Sequence, residues 1–231
     1  PPPAHQIPAH DARRSRSLRA SIPDCLGFDS RPPFRICLSG LLGGDMLIKV
    51  KLFNVFVKII FLGLIGFVLL CSALPQFEGK GMLFRAITYP LALLVAPLFW
   101  RFKLKGRPYP HLADALIMIP FIADLFGNAA NLFDTLRFFD DFAHFVNWAF
   151  LVSAFGVLFS SFNLSRLNVA MIVLGMGSVT SVLWEIAEFL ALRTGVTRLF
   201  LTYEDTIGDL SLGFLGSVIG ALLTVTLFYP K

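Results

Sequence analysis

The sequence predicts an all-α polytopic membrane protein, a bundle of about six transmembrane helices. Of its 231 residues, 56% are hydrophobic and only 15% are charged, whereas charged residues make up about 25% of a typical soluble domain. Mean hydropathy is +0.73. Several apolar runs reach the roughly 20 residues that a helix needs to cross a bilayer. These observations indicate a chain whose solvent is mainly lipid.

Six apolar runs place the helices. Their expected bounds are about 52–74, 81–102, 112–133, 142–162, 167–192 and 206–229. The second run contains Pro90 and Pro97, and the third contains Pro120. Prolines are tolerated inside membrane helices because neighbouring helices and local distortion satisfy the carbonyls that they free. In the first run the single cation, Lys58, is expected to reach its ammonium group to the interface.

Residues 1–45 differ in composition from the rest of the chain. They are rich in Pro, Arg and Ser and show no hydrophobic periodicity, which predicts a disordered basic tail. Met46 opens a run that is typical of the start of a membrane protein, so the favoured interpretation of the tail is a mis-called extension. A transit-like segment and a genuine basic tail are the alternatives. Residues 46–231 are the predicted six-helix transmembrane domain.

The net charge of +5 indicates topology rather than a partner. The Lys and Arg residues lie mostly between apolar runs, without the clustered basic face that nucleic-acid binding needs. Eight of them fall on one side of the predicted membrane and five on the other, which places both termini in the cytoplasm. The three cysteines contain no CxxC pair and suggest neither a zinc site nor a disulfide framework.

Polar side chains collect at one end of the predicted bundle. The third and fifth helices end there, and the fourth and sixth begin there, whichever way the bundle is oriented. These polar residues are Asp124, Asn128, Asn131, Asp141, His144, Glu185, Glu188, Asp205 and Asp209.

Their spacing puts them on helix faces. The third helix carries the triplet Asp124, Asn128 and Asn131, and each of the other three helices carries a pair three or four positions apart, the spacing of one face. At 1.5 Å per residue, Asp124 is expected roughly 14 Å, and Glu185 roughly 10 Å, below the outer ends of their helices. A charged group at such depth costs at least about 2.5–3.5 kcal/mol and usually turns inward to a partner.

Neutral, protonated carboxylates, a bound cation or a water-filled vestibule would each make this set of side chains stable in the membrane. Carboxylates crowded into a small dry space cannot all ionise, because like charges raise one another's pKa. Carboxylate and imidazole groups bind divalent metals such as Mg²⁺, Mn²⁺, Fe²⁺ or Zn²⁺. The expected metal ligands are Asp141, His144, Glu185 and Glu188. The residues expected to act as a further ligand or as the general base are Asp205 and Asp209.

The surrounding positions have simpler interpretations. Gly213, Gly216 and Gly220 follow Asp209 on one stripe, which predicts close packing of the sixth helix against the bundle. For the Asn128 and Asn131 side chains, hydrogen bonds between helices are the favoured interpretation. Residues expected to be solvated, interfacial or capping are Asp140, Glu204, His111 and Asp114. A purely structural polar network is the alternative to a functional site.

Three segments resemble a known family. "DDFAHFVNWAF", "WEIAEF" and "DTIGDLSLGFLGSVIGALL" are similar to the YjdF-type bacterial inner-membrane proteins and, more distantly, to the VanZ-like proteins linked to glycopeptide resistance. The likeness extends over about residues 105–228. VanZ-like chains tend to carry Asn where this sequence has Gly213. The resemblance implies a bacterial inner-membrane location and a shared polar site, and it names no reaction. The residues it carries over are Asp141, His144, Glu185, Glu188, Asp205, Asp209 and Gly216.

Three functions remain open from the sequence. The leading hypothesis is a metal-dependent hydrolase or transferase that acts on a lipid-linked or cell-envelope substrate at the extracytoplasmic face. A proton- or cation-coupled transporter would use the carboxylates as a relay, although no inverted repeat is evident. A non-catalytic membrane factor is the third. The sequence contains no nucleophile elbow, Walker loop or HExxH motif.

Overall fold

In the computed structural model, residues 44–198 and 202–228 are described, and their regular secondary structure is entirely helical. Six segments are long and apolar enough to cross a membrane, so the predicted fold class is confirmed. The predicted tail at 1–45 lies outside the described residues except for its last two positions. The α-helices are α1 (Gly44–Leu70), α2 (Met82–Thr88), α3 (Val95–Lys103), α4 (His111–Ala129), α5 (Leu132–Thr135), α6 (Phe139–Phe159), α7 (Arg166–Arg193) and α8 (Tyr203–Leu223).

The second membrane span is a broken helix. It runs over Met82–Lys103 and consists of α2, a 3₁₀ segment at Tyr89–Leu94, and α3. Pro90 has no N–H to donate and would clash with the carbonyl four residues earlier in a continuous α-helix. The chain therefore tightens into the 3₁₀ form at this point. Pro97 lies in the first turn of α3, where its missing N–H costs nothing.

Two helix ends differ from the predicted bounds. α1 begins at Gly44 rather than near Leu52, because a helix can continue beyond the apolar run and Asp45 in its first turn is favourable at a helix N-terminus. α4 ends at Ala129, and Asn131 adopts a left-handed conformation with φ of 57°. Asparagine tolerates that conformation better than most residues, and it ends the helix before the predicted position.

α6 lies at the centre of the bundle, in contact with α4, α7 and α8, while α1 packs on α4. Small residues allow α6 and α8 to approach closely. A Cβ on Gly216 would meet the backbone carbonyl of Phe145 on α6, and one on Gly220 would lie 2.7 Å from the carbonyl oxygen of Ala149. The exposed faces of α1 and α7 are apolar, as expected for surfaces that face lipid.

A buried polar cluster joins α1 to the start of α4. Asp114 is fully buried, and its Oδ2 accepts hydrogen bonds from Asn54, Lys58 and Tyr109 at 3.0, 2.5 and 2.7 Å. Burial and the bond to Asp114 raise the pKa of the Tyr109 hydroxyl, which lies in the loop before α4. The prediction that Asp114 caps a helix is therefore wrong, because its side chain makes no capping hydrogen bond. Asp114 is instead the ion-pair partner of Lys58, and His111 lies 3.1 Å from the Asn54 amide.

Candidate metal centre

The start of α6 places Asp140 and His144 on one face. α6 begins at Phe139, so the two side chains are four residues apart and their Cβ atoms lie on the same stripe. Asp140 Oδ1 is 3.8 Å from Nε2 of His144, and His144 is buried. Asp141, one position further, is exposed. The metal role expected for Asp141 stays a prediction. The structure brings Asp140, which was expected to be solvated and whose side chain is 45% exposed, nearer to His144, and the spacings i, i+3 and i, i+4 are both compatible with one face.

α8 brings Asp209 to the same nitrogen. The Thr202 hydroxyl accepts a hydrogen bond from the backbone N–H of Asp205 at 3.1 Å, which caps the N-terminus of α8. The buried glycine stripe then holds α8 against α6, with Asp209 one turn before Gly213. Asp209 is 3% exposed, and its Oδ1 lies 3.7 Å from Nε2 of His144.

α7 approaches His144 from its other nitrogen. Glu185 is 7% exposed, and its Oε1 lies 3.8 Å from Nδ1 of His144. Ser181 lies one turn before Glu185, and a Cβ on Gly213 would collide with the Ser181 hydroxyl. The close contact between α7 and α8 at Ser181 and Gly213 therefore sets the position of Glu185. His144 Nδ1 and Glu185 Oε1 are both buried and have no hydrogen-bond partner among the described residues.

A cavity of about 440 Å³ opens beside these residues. Its walls combine carboxylates with aromatic rings, and Glu185 is absent from them. Asp205, half-buried in the first turn of α8, lines the cavity. The main lining residues are Lys80, Arg85, Tyr89, Phe121, Asp124, Asn128, Phe133, Asp134, Asp140, His144, Asn147, Trp148, Trp184, Glu188, Asp205 and Asp209.

Asp124 is held by partners that the sequence analysis did not identify. Its Oδ1 lies 2.5 Å from Nη1 of Arg85, and its Oδ2 accepts a 2.9 Å hydrogen bond from Tyr89. Asn128 donates to the Asp124 backbone carbonyl at 2.9 Å. Arg85 and Tyr89 are four residues apart across α2 and the 3₁₀ segment, a spacing that could have indicated a shared face. Asp124 is therefore an ion-pair partner on the cavity wall.

Asn131 does not share the face of Asp124 and Asn128, because α4 ends before it. That part of the predicted triplet is wrong. With its helix ending at Ala129, Asp124 lies roughly 7 Å below the helix end, half the predicted depth. The Asn131 side-chain oxygen is buried without a hydrogen-bond partner among the described residues.

The charges of the cavity leave an excess of carboxylates. Both cations that line it are already paired, Arg85 with Asp124 and Lys80 with Asp134 at 2.8 Å. Within the described ranges, no Lys or Arg lies within 4.0 Å of Asp140, Glu185, Glu188 or Asp209. Such an excess needs protons, a cation or water to be stable in the membrane.

The donor set fits a divalent metal. Two groups bring one ligand atom from each residue within 4.8 Å of one another, and His144 belongs to both. Imidazole nitrogen with carboxylate oxygen suits Zn²⁺, Fe²⁺ or Mn²⁺. The buried, unpartnered Nδ1 and Oε1 atoms further indicate a centre that is completed by a bound ion or by a proton between them. The two groups are Asp140, His144 and Asp209, and His144, Glu185 and Glu188.

Comparison with known proteins identifies the family. No curated protein and no solved structure matches this chain. The family DUF2238, described as predicted membrane protein, matches residues 57–229, which include all the residues of the candidate centre. Because the match extends over most of the chain, this protein belongs to the DUF2238 family of membrane proteins.

Proposed function

We propose that this protein is a metal-dependent hydrolase or transferase that acts on a lipid-linked or cell-envelope substrate. The observation that carries the proposal is the arrangement around His144. Both ring nitrogens face carboxylates at 3.7–3.8 Å, on three different helices, beside a cavity. A buried histidine that only fills space would satisfy its nitrogens with a carbonyl or hydroxyl, whereas here each nitrogen faces a carboxyl group.

The roles follow from position. His144, Asp140 and Asp209 would hold the metal, which when bound would polarise a carbonyl or phosphoryl oxygen and lower the pKa of a water molecule. Asp205 lines the cavity near Asp209 and is the candidate general base. Glu188 lines it from α7. Asp141 belongs to neither group of potential ligand atoms, so in this proposal Asp140 takes the ligand role that the sequence suggested for Asp141.

The cavity supports an amphiphilic substrate. It lies between membrane-spanning helices, and Trp148, Trp184 and Phe121 form apolar parts of its wall beside the carboxylates. Aromatic residues with one polar edge are typical of the membrane interface, where lipid headgroups lie. A headgroup in this cavity would keep its chains in the bilayer.

We further propose a bacterial inner-membrane location with both termini in the cytoplasm and the cavity opening to the other side. The asymmetry of Lys and Arg in the loops supports the orientation. The resemblance to YjdF-type proteins, and the weaker one to VanZ-like proteins, supports the bacterial inner membrane.

A second candidate function is proton- or cation-coupled transport. The buried Asp114, paired with Lys58 at the opposite end of α4, is the observation that favours it. Intramembrane carboxylates near both faces are a feature of proton-coupled carriers. Proton flux in proteoliposomes, measured with a pH-sensitive dye trapped inside, would separate this function from an enzymatic one.

The metal content of the detergent-purified protein tests the main proposal. We expect stoichiometric Zn²⁺, Mn²⁺ or Fe²⁺ in the wild type and its loss in His144→Ala, with Asp141→Asn as the matched control that retains it. A folded wild-type protein that stays metal-free after incubation with each of these ions would contradict the proposal. An unchanged metal content in His144→Ala would show that the metal binds at a site without His144.

A further inference from the structure

We propose that the metal lies on the Nε2 side of His144, with Asp140 and Asp209, and that Glu185 is a positioning residue that accepts a hydrogen bond from Nδ1–H. This inference rests on the proposed function, since it assumes that His144 binds a metal. Asp140 and Asp209 are then metal ligands and Glu185 is a hydrogen-bond acceptor, whereas the sequence analysis could not distinguish these roles.

The chemistry of a neutral imidazole requires such a division. One ring nitrogen carries a lone pair that can bind a metal, and the other carries a hydrogen. The carboxylates on the two sides of His144 therefore cannot both share a metal with it. The carboxylate on the N–H side accepts a hydrogen bond, which fixes the tautomer and the orientation of the ring.

The cavity decides which side is which. A catalytic metal needs an open coordination position for water or substrate. Asp140 and Asp209 both line the cavity together with His144, whereas of the pair on the Nδ1 side Glu188 lines it and Glu185 does not. The complete set of ligands that faces the cavity is therefore the one on the side of Nε2.

The unpartnered atoms support the same assignment. His144 Nδ1 and Glu185 Oε1 are both buried without a hydrogen-bond partner among the described residues and lie 3.8 Å apart. A hydrogen on Nδ1 gives both atoms a partner in one bond, after a shift of less than about 1 Å to reach hydrogen-bond distance. Without that hydrogen bond, two buried polar atoms stay unsatisfied, which is destabilising.

The competing arrangement places the metal on Nδ1 with Glu185 and Glu188, and Nε2–H then donates to Asp209. Both arrangements use His144, so a histidine variant cannot distinguish them. The carboxylate variants can, because a ligand and a hydrogen-bond acceptor respond differently to amidation. An amide oxygen still accepts a hydrogen bond, but it replaces a carboxylate ligand poorly.

The experiment titrates Co²⁺, a spectroscopic probe, into purified metal-free full-length protein and its variants, and records affinity and stoichiometry from the ligand-field absorption. We expect Asp209→Asn to abolish the bound-cobalt spectrum. Glu185→Ala should retain one Co²⁺ at saturation with affinity lowered tenfold to hundredfold, the usual effect of removing a partner of a ligating histidine. Glu185→Gln should recover much of that loss. Glu188→Gln, one turn away on α7, removes a ligand of the competing arrangement and should change affinity much less than Glu185→Ala.

The outcomes separate the two proposals. Loss of cobalt in Glu185→Gln and Glu188→Gln, with retention in Asp209→Asn, would overturn this inference and place the metal on Nδ1, while the proposed function would stand. A wild type that binds no Co²⁺ would overturn both. If Asp209→Asn fails to purify as a folded protein, Asp140→Asn tests the same side, and its unchanged affinity would contradict the inference.

Discussion

Replacement of Lys58 by Met tests how much the buried pair with Asp114 contributes to stability. Asp114 is 0% exposed, and three donors converge on its Oδ2. Removal of Lys58 takes away the only charged donor and leaves a buried carboxylate with two neutral partners, Asn54 and Tyr109. Breaking a buried pair by removing one member costs about 3–5 kcal/mol. We expect the lower part of this range, about 3 kcal/mol, because those two hydrogen bonds remain.

The measurement is reversible unfolding in detergent micelles, by denaturant titration and by heating. For a chain of this size, a loss of 3 kcal/mol corresponds to a decrease in Tm of about 6–12 °C. The control is Glu78→Gln, which breaks the Glu78–Arg198 pair, whose side chains are both 80% exposed. An exposed pair contributes about 0–1 kcal/mol, so the control should remain close to the wild type.

The double variant Lys58→Met/Asp114→Asn gives the sharper test. It removes both charges, and the Asn oxygen still accepts from Tyr109, so the double variant should be more stable than Lys58→Met alone. This order follows because the cost lies in the unpaired buried charge rather than in the lost attraction. A loss below about 1 kcal/mol in Lys58→Met, or a double variant less stable than the single one, would refute the reasoning.

Three further predictions concern the candidate centre and its helices. Gly216→Leu should destabilise the protein by about 1–3 kcal/mol, because its side chain would meet the carbonyl of Phe145, while Gly208→Ala on the same helix has open space and should be neutral or stabilising in the same unfolding assay. Asp140→Asn should weaken Co²⁺ binding and Asp141→Asn should not; equal effects would contradict the assignment of Asp140. A metal ion present at 100 times its Kd stabilises the folded protein by about 2.7 kcal/mol. Its removal with EDTA should therefore lower Tm by about 5–11 °C. An unchanged Tm in a protein shown to lose its metal would argue against a site formed by three helices.

The fold could be predicted from the sequence because apolar run length and hydropathy are one-dimensional properties. Six runs gave six spans, and the end of the bundle at which the acidic residues meet followed from the order of the helices alone. The exact ends of the helices were harder to predict from the sequence. Whether Asp140 or Asp141 approaches His144 depends on side-chain direction and on how α7 and α8 pack against α6, because residues three and four positions apart both lie on one helix face.

The ion pairs between helices that are distant in the sequence could not be predicted from the sequence. Arg85 with Asp124, and Lys58 with Asp114, join residues 39 and 56 positions apart. Positively charged residues near helix ends have a general interpretation as topology determinants or as interfacial anchors. The specific partner of such a residue cannot be identified from the sequence, because no local spacing links the two members of the pair.

The two polar clusters on α4 also bear on the choice between an enzyme and a proton relay. Asp114 and Asp124 are ten residues apart, or roughly 15 Å along the helix. The stretch 115–118 between them is apolar and fully or almost fully buried. A relay needs polar groups or water in reach of one another through this depth, and within the described ranges this layer of α4 supplies none. Asp114 with Lys58 is therefore a closed ion pair that joins α1 to α4, whereas His144 lies beside a cavity. Along α4, this asymmetry favours a reaction at one membrane face, because proton transfer from Asp124 to Asp114 would require the packed layer around Ile117 and Met118 to open during each cycle.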